Sequence, residues 1–250
     1  MPPQAPVRRS FLRLGLLGLS GLLGAGAMVV WPVVTRAAPL LRPPGARPER
    51  LFLGSCIKCG LCLRACPVHA IRLGDANLGL SMGTPYLDAR EQACGLFCDQ
   101  RTCVRACPTG ALEKQVVKLP LSHSRMGFAV LTDPERCLAF RQHPFKGLAR
   151  GSRFSGVVRQ RRSAGWEVRP LAQHPYDLEI PCDLCVRECP LPQAIRMEHP
   201  KDAQGFDGAA LLPTVSKNCL GCGVCEMVCP TEPSSIRVQP RKQPPATAGI

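Results

Sequence analysis

The chain has 250 residues, a formal net charge of +14 from 32 Lys or Arg against 18 Asp or Glu, and 16 cysteines. Eight Phe, two Trp and two Tyr are too few for a large conventional core, and 26 Pro with 23 Gly exclude long helices and a βαβ sheet in favour of turns and short elements. Disorder is excluded by the fixed pattern in which the cysteines recur.

The N-terminal stretch reads Arg8-Arg9-Ser10-Phe11-Leu12, then an uncharged run from Leu14 to Thr35, then Arg36-Ala37-Ala38-Pro39. It resembles a twin-arginine export signal, with Val7 where that pattern carries Ser or Thr. The resemblance implies passage through the Tat translocon as a folded protein, with any cofactor already inserted, to the periplasmic side of the cytoplasmic membrane. An uncharged run of over twenty residues exceeds the usual h-region of about 7–15 and approaches the ~20 that span a bilayer. Residues 1–37 are therefore read as an export signal or an N-terminal anchor, with a membrane tether through 11–35 as one outcome and cleavage as the other. Residues 38–50 read as a Pro/Arg linker, and no later apolar run is long enough to span.

Cys56, Cys59, Cys62 and Cys66 spell C-x2-C-x2-C-x3-C-P, and Cys219, Cys222, Cys225 and Cys229 repeat it unchanged. That is the bacterial ferredoxin run for a [4Fe–4S] site. Two altered copies lie between them. Cys94, Cys98, Cys103 and Cys107 are spaced C-x3-C-x4-C-x3-C and close on Pro108, while Cys182, Cys185 and Cys189-Pro190 lack a near first cysteine that Cys137 supplies from upstream. All sixteen cysteines are then used as metal ligands, four by four, for four [4Fe–4S] clusters. A tight loop can place three thiolates on three irons of a cubane, and the fourth must come from elsewhere; in two-cluster ferredoxins the last cysteine of a motif serves the other cluster.

Each Cys-Pro is followed by small and aliphatic residues and by a strand-like stretch such as Ile71–Leu73 or Ile236–Val238, and apolar runs at 128–131 and 211–215 precede the later motifs. A strand, a cysteine loop, a helical turn and a return strand make half of a ferredoxin module. Three other chemistries fit less well. Structural zinc prefers CxxC pairs a dozen or more residues apart, disulfides do not generate this repeat, and covalent haem needs a C-x-x-C-H that is absent.

The whole pattern, together with Asp133-Pro134-Glu135-Arg136-Cys137-Leu138, Cys182-Asp183-Leu184-Cys185 and Leu212-Pro213-Thr214-Val215, resembles the MauM/NapG-type ferredoxin proteins across the signal and most of 50–238. The resemblance implies electron transfer outside the cytoplasm. NapG-like members work with a polytopic membrane quinol-oxidising ferredoxin-type protein and a periplasmic terminal reductase for nitrate; MauM-like members belong to methylamine utilisation, which makes an assembly or maturation factor the rival reading. The expected fold is α+β, two bacterial ferredoxin-like modules over 51–238 with a flexible tail at 239–250. Related four-cluster subunits combine the first motif with the fourth and the second with the third; the two standard motifs here are outermost and the two altered ones innermost, which suits that pairing, but the sequence leaves open which motifs interlock.

The connection 138–181 is longer than the family's usual one and carries Arg141, Lys146, Arg150, Arg153, Arg159, Arg161, Arg162 and Arg169 against Glu167, Asp177 and Glu179, a net of +5. It reads either as a solvated loop or as a docking arm for an acidic redox partner or anionic lipid; export disfavours nucleic acid. His69, His123, His143, His174 and His199 are scattered without metal or triad spacing, and Gly21-x-x-Gly24-x-Gly26 lies inside the export signal. No catalytic residue is expected, and the chain reads as a carrier.

Overall fold

The computed structural model describes residues 39–95, 98, 101–162, 165–199 and 210–241. The expected signal or anchor at 1–37 and most of the expected tail lie outside the described residues. Among the described residues no helix is long and apolar enough to cross a membrane.

The chain divides into two units. Of the first, the described part is Asp75–Met82, a 3-10 turn over Ala76–Ser81 opened by the Asp75 carboxylate, which accepts from the Asn77 N–H at 3.1 Å. The second unit, Pro39–Gly74 with Gly83–Ile250, holds all sixteen cysteines.

Among the described residues the α-helices are α1 (Glu49–Ser55), α2 (Leu61–Arg64), α3 (Thr102–Arg105), α4 (Leu184–Arg187) and α5 (Val224–Val228). The last four are each one turn long and lie inside a cysteine motif. The cause is local: each is followed within three residues by a Cys-Pro, and proline cannot donate the next helical hydrogen bond. The strands are β1 (Ile71–Leu73), β2 (Pro85–Leu87), β3 (Gly127–Leu131), β4 (Pro144–Gly147), β5 (Val157–Arg162), β6 (Gly165–Pro170), β7 (Tyr176–Pro181), β8 (Ile195–Glu198), β9 (Leu212–Val215) and β10 (Ile236–Pro240). The strand-like stretches read from the sequence at 71–73, 128–131 and 236–238 fall on strands, and that at 211–215 does so from Leu212 onward.

Strand pairing reveals which motifs belong together. After the first motif, β1 pairs antiparallel with β2, which leads into the second motif. After the third motif, β8 pairs with β9, which leads into the fourth. The chain entering the third motif, β3, pairs with the chain leaving the fourth, β10, with Ile236 opposite Leu131. In the first half the matching closure is a single antiparallel bridge, Ala46 to Leu112. The helices follow suit, since α2 packs on α3 and α4 on α5.

Two expectations are corrected. The stretch 38–50 is no free linker over its described part. Leu41 and Arg42 are buried, and Arg42 pairs with Glu49, donates to Thr84 Oγ1 and the Pro85 carbonyl at 2.8 Å each, and lies 4.7 Å over the Phe52 ring. The basic segment 138–181 is no solvated loop either: β5 and β6 form a hairpin nested inside the β4·β7 pair, with Val158, Leu171, Tyr176 and Leu178 buried. Two of its cations, Arg169 and Arg150, are drawn into the fold, and a third, Lys146, pairs at the surface. Lys146 pairs with Asp177 at 2.6 Å, Arg169 grips both oxygens of the buried Glu188 at 2.6 and 2.7 Å, and Arg150 donates to the Arg90 carbonyl at 2.9 Å.

The two halves meet at Arg90. Its guanidinium donates to the carbonyls of Glu226, Cys229 and Thr231 at 2.6, 2.8 and 2.7 Å and to the Glu232 carboxylate at 2.8 Å. It thereby serves carbonyls at the end of α5 that the short helix leaves free. The carboxylate is exposed and screened, so the three carbonyl contacts dominate. Arg90→Ala should lower the stability of the cluster-loaded protein by about 2–3 kcal/mol, and Glu232→Gln by less than about 1 kcal/mol. Denaturant midpoints followed through the cluster absorbance would measure both.

Candidate iron–sulfur centres

All sixteen cysteines are free thiols, and ten are buried among the core residues. The fourth cysteine of each motif, just before proline, lies beside the first three of its neighbour. Burial first, then the neighbouring Cys56, Cys107 and Cys59, push the Cys62 thiol up to about 11. Cys94 is raised by burial and by Cys103, Cys66 and Cys98, and Cys103 is pushed up to about 12 by burial and by Cys98, Cys66 and Cys62. The first two motifs therefore make two sets: Cys56, Cys59 and Cys62 with Cys107, and Cys94, Cys98 and Cys103 with Cys66.

The second half repeats this. Cys185 is raised by burial and by Cys137, Cys182 and Cys229; Cys182 is pushed up to about 11 by burial, Cys229 and Cys137. Cys225 is raised by burial and by Cys222, Cys185, Cys219 and Cys189, and Cys222 goes up to about 12 from burial with Cys189 and Cys219 beside it. The remaining sets are Cys137, Cys182 and Cys185 with Cys229, and Cys219, Cys222 and Cys225 with Cys189. Cys137, 45 residues upstream of Cys182 in sequence, lines the same hollow as Cys182, Cys185 and Cys229. The sequence left the pairing open, with first-to-fourth and second-to-third suggested by related subunits; in the structure the first motif joins the second and the third joins the fourth. The reason is the hairpins β1·β2 and β8·β9, which fold each motif back onto the next one.

Three sets ring hollows in the protein. Cys66, Cys94, Cys98 and Cys103 line one, Cys137, Cys182, Cys185 and Cys229 a second, and Cys189, Cys219, Cys222 and Cys225 a third. Among the described residues no three His, Cys, Asp or Glu side chains converge on one point as ligands of a single ion would. Four soft sulfur donors spread round a hollow suit a polynuclear group instead. As ligands these thiols would have to ionise, and four thiolates in a low-dielectric pocket repel one another unless a multiply charged core lies between them. The donors present therefore fit iron–sulfur clusters.

Hydrogen bonds to sulfur come from residues that motif spacing does not reveal. Backbone N–H groups of Ala70, Leu112 and Gly221 donate to Sγ of Cys66, Cys107 and Cys219 at 3.3, 3.5 and 3.4 Å. Thr109 and Thr231 hydroxyls lie 3.8 and 3.2 Å from Sγ of Cys107 and Cys229. Burial raises both thiols, but the Leu112 N–H and the Thr109 hydroxyl at Cys107, and the Thr231 and Ser234 hydroxyls at Cys229, with further backbone N–H groups, hold each below the ordinary value. The signal was present in the sequence: the second and fourth motifs end in Cys-Pro-Thr, whereas the first ends in Cys-Pro-Val and the third in Cys-Pro-Leu.

The sets also stand in a row. Within each half the two sets adjoin through Cys62 and Cys103 and through Cys185 and Cys225. Between halves the Cys94 N–H donates to the Cys222 carbonyl at 2.8 Å, and Cys222 is among the groups that raise Cys94. The order is therefore first motif, second, fourth, third. Iron analysis of alanine variants tests the pairing. Cys66→Ala and Cys98→Ala should each lose about four irons and the double variant no more than either, whereas pairing of the first motif with the fourth would make the double lose about eight.

The 4Fe-4S dicluster domain family matches residues 55–111 and 180–232, one block for each pair of motifs found above. Ferredoxin-type protein NapG of Escherichia coli is 36% identical over 237 residues, covering 93% of this chain and 85% of that protein. Methylamine utilization ferredoxin-type protein MauM of Methylorubrum extorquens is 35% identical over 246 residues, covering 96% and 92%, and MauM of Paracoccus denitrificans is 35% identical over 232 residues, covering 91% and 83%. No solved structure matches. With its cysteine sets and these relatives together, the chain is an iron–sulfur electron-transfer protein and belongs to the NapG/MauM family of ferredoxin-type proteins.

Proposed function

We propose that the chain binds four [4Fe–4S] clusters, one per set, in two ferredoxin-like modules, and passes electrons along the row they form. The observation that carries this is the interlocking of the sets: each takes three cysteines from one motif and the fourth from its neighbour, so paired sets share a loop and the halves meet at Cys94 and Cys222. Each bound cluster would supply a one-electron couple whose potential follows from its charge, burial and sulfur hydrogen bonds. The protein's part is to hold the thiolates, exclude water, and aim N–H and O–H donors at sulfur. Thr109 and Thr231 serve the first-motif and third-motif sets, the two ends of the row.

The route follows from the family. Exported through the twin-arginine pathway, the protein would take electrons from a polytopic membrane partner that oxidises quinol and deliver them to a periplasmic reductase such as nitrate reductase. The identity to NapG favours this route. The nearly equal identity to MauM favours the second reading, an assembly or maturation factor for an exported redox enzyme. Neighbouring genes separate the two, because nitrate reductase genes go with the wire and methylamine dehydrogenase genes with maturation.

Protein made in a Tat-competent host and purified without oxygen should carry about sixteen irons and sixteen sulfides per chain and give coupled [4Fe–4S] EPR signals on reduction. About eight of each would halve the row and sink the four-cluster wire.

A further inference from the structure

The first and fourth motifs have one spacing and opposite surroundings. In the fourth, every residue from Cys219 to Cys225 is buried, with Leu220 at 3% and Val224 at 5% exposure. The other half of the molecule roofs this loop. A side chain on Gly223 would meet the Ala89 Cβ at 2.6 Å, and the Cys94 N–H reaches the Cys222 carbonyl at 2.8 Å. In the first motif the matching residues are Ile57 and Leu61, 64% and 44% exposed, and Cys59 is the one exposed cysteine of the sixteen. Two aliphatic side chains beside a ligand cysteine are thus left in water where their counterparts form an interface that joins two sets.

Charge points the same way. Lys58 holds φ +56° where its counterpart Gly221 holds +69°, a left-handed conformation that favours glycine over any side chain. An exposed cation is kept beside Cys59 in spite of that backbone cost. Arg50 on α1 and Arg64 on α2 are exposed too, and none of these three cations makes an ion pair among the described residues. At the other end of the row Arg136 and Arg187 are neutralised by Asp133 and Asp183 at 2.8 and 2.6 Å. The base of the inserted hairpins joins that end as well, the Cys182 N–H donating to the His143 carbonyl at 3.1 Å.

We propose that the loop from Cys56 to Cys62 is the face on which a one-electron redox protein docks, a partner whose contact surface has an apolar centre and an acidic rim. Ile57 and Leu61 meet the centre, and Arg50, Lys58 and Arg64 meet the rim. This rests on the electron-carrier reading and adds where the exchange takes place. No bond is made or broken: the reduced partner loses the one electron that the nearest cluster of this chain gains.

The test uses the full cluster-loaded chain with two reductants in stopped flow: reduced flavodoxin, a small acidic one-electron carrier, and dithionite, which needs no docking. Lys58→Gly/Arg64→Gln and Ile57→Ser/Leu61→Ser should each slow reduction by flavodoxin about tenfold. The dithionite rate and the iron content should stay unchanged, and the charge variant should lose most of its salt dependence. Glycine suits the turn at Lys58 better than lysine does, so slowing there cannot come from lost fold. Arg141→Gln/Arg153→Gln on the insertion should leave the flavodoxin rate as it was. Equal rates for wild type and loop variants, or equal slowing by the insertion variant, would overturn the proposal. So would wild-type binding to phosphatidylglycerol vesicles, or self-association in sedimentation, that Ile57→Ser/Leu61→Ser abolishes, because the face would then belong to lipid or to a second copy. A loaded wild-type chain that takes no electron from dithionite would instead sink the carrier reading on which the face depends.

Discussion

Four thiolates held together away from water repel one another, and the fold depends on resolving that repulsion. Burial and neighbouring sulfurs push Cys62, Cys103, Cys182 and Cys222 upward, to about 11 or 12. As neutral thiols they are ordinary small apolar side chains. As ligands they must be ionised, and only a multiply charged core among them makes that tolerable. A chain with eight Phe, two Trp and two Tyr has little else to pack in these positions. The clusters proposed here are therefore the centre of the core and not additions to it. The charge of the chain shifts with them, since sixteen thiolates round four oxidised 2+ cores would bring the formal +14 to about +6.

The crossing of ligands turns this local requirement into a global one. Cys66 and Cys107 trade places between the first two motifs, and Cys189 and Cys229 between the last two. Neither motif of a pair can complete its set alone, so each pair is expected to fold as one unit. The joint between pairs is made differently, from Arg90 on the carbonyls behind Cys229 and from backbone contact at Cys94 and Cys222. The same joint that holds the halves together places their nearest sets side by side.

Cysteine spacing is local and was legible as four motifs, and the strands beside the motifs were legible from their apolar runs. Pairing was not. The gaps from Cys66 to Cys94, from Cys107 to Cys137 and from Cys189 to Cys219 are similar in length, so spacing alone does not select neighbours. The choice is made by β2, whose short Pro85-Tyr86-Leu87 carries almost no periodicity yet pairs with β1 and turns the second motif back onto the first. In the insertion, the abundance of arginine drew attention to charge and away from Val157-Val158-Arg159-Gln160 and Glu167-Val168-Arg169-Pro170, whose facing registers form a hairpin. Arg150 and Arg169 counted as charge of the insertion because the Arg90 carbonyl and the Glu188 carboxylate they serve are distant in sequence, and Arg90 itself carried no signal because its carbonyl partners lie about 140 residues away.

If clusters take the place of an apolar core, removing them should remove the fold. The direct measurement is far-UV circular dichroism and hydrodynamic radius of the purified chain before and after oxidative extraction of iron with a chelator, under reducing conditions that keep the thiols free. The account predicts loss of most ordered structure and expansion toward an unfolded chain. An iron-free chain that keeps its compact radius and its strand signal would contradict it.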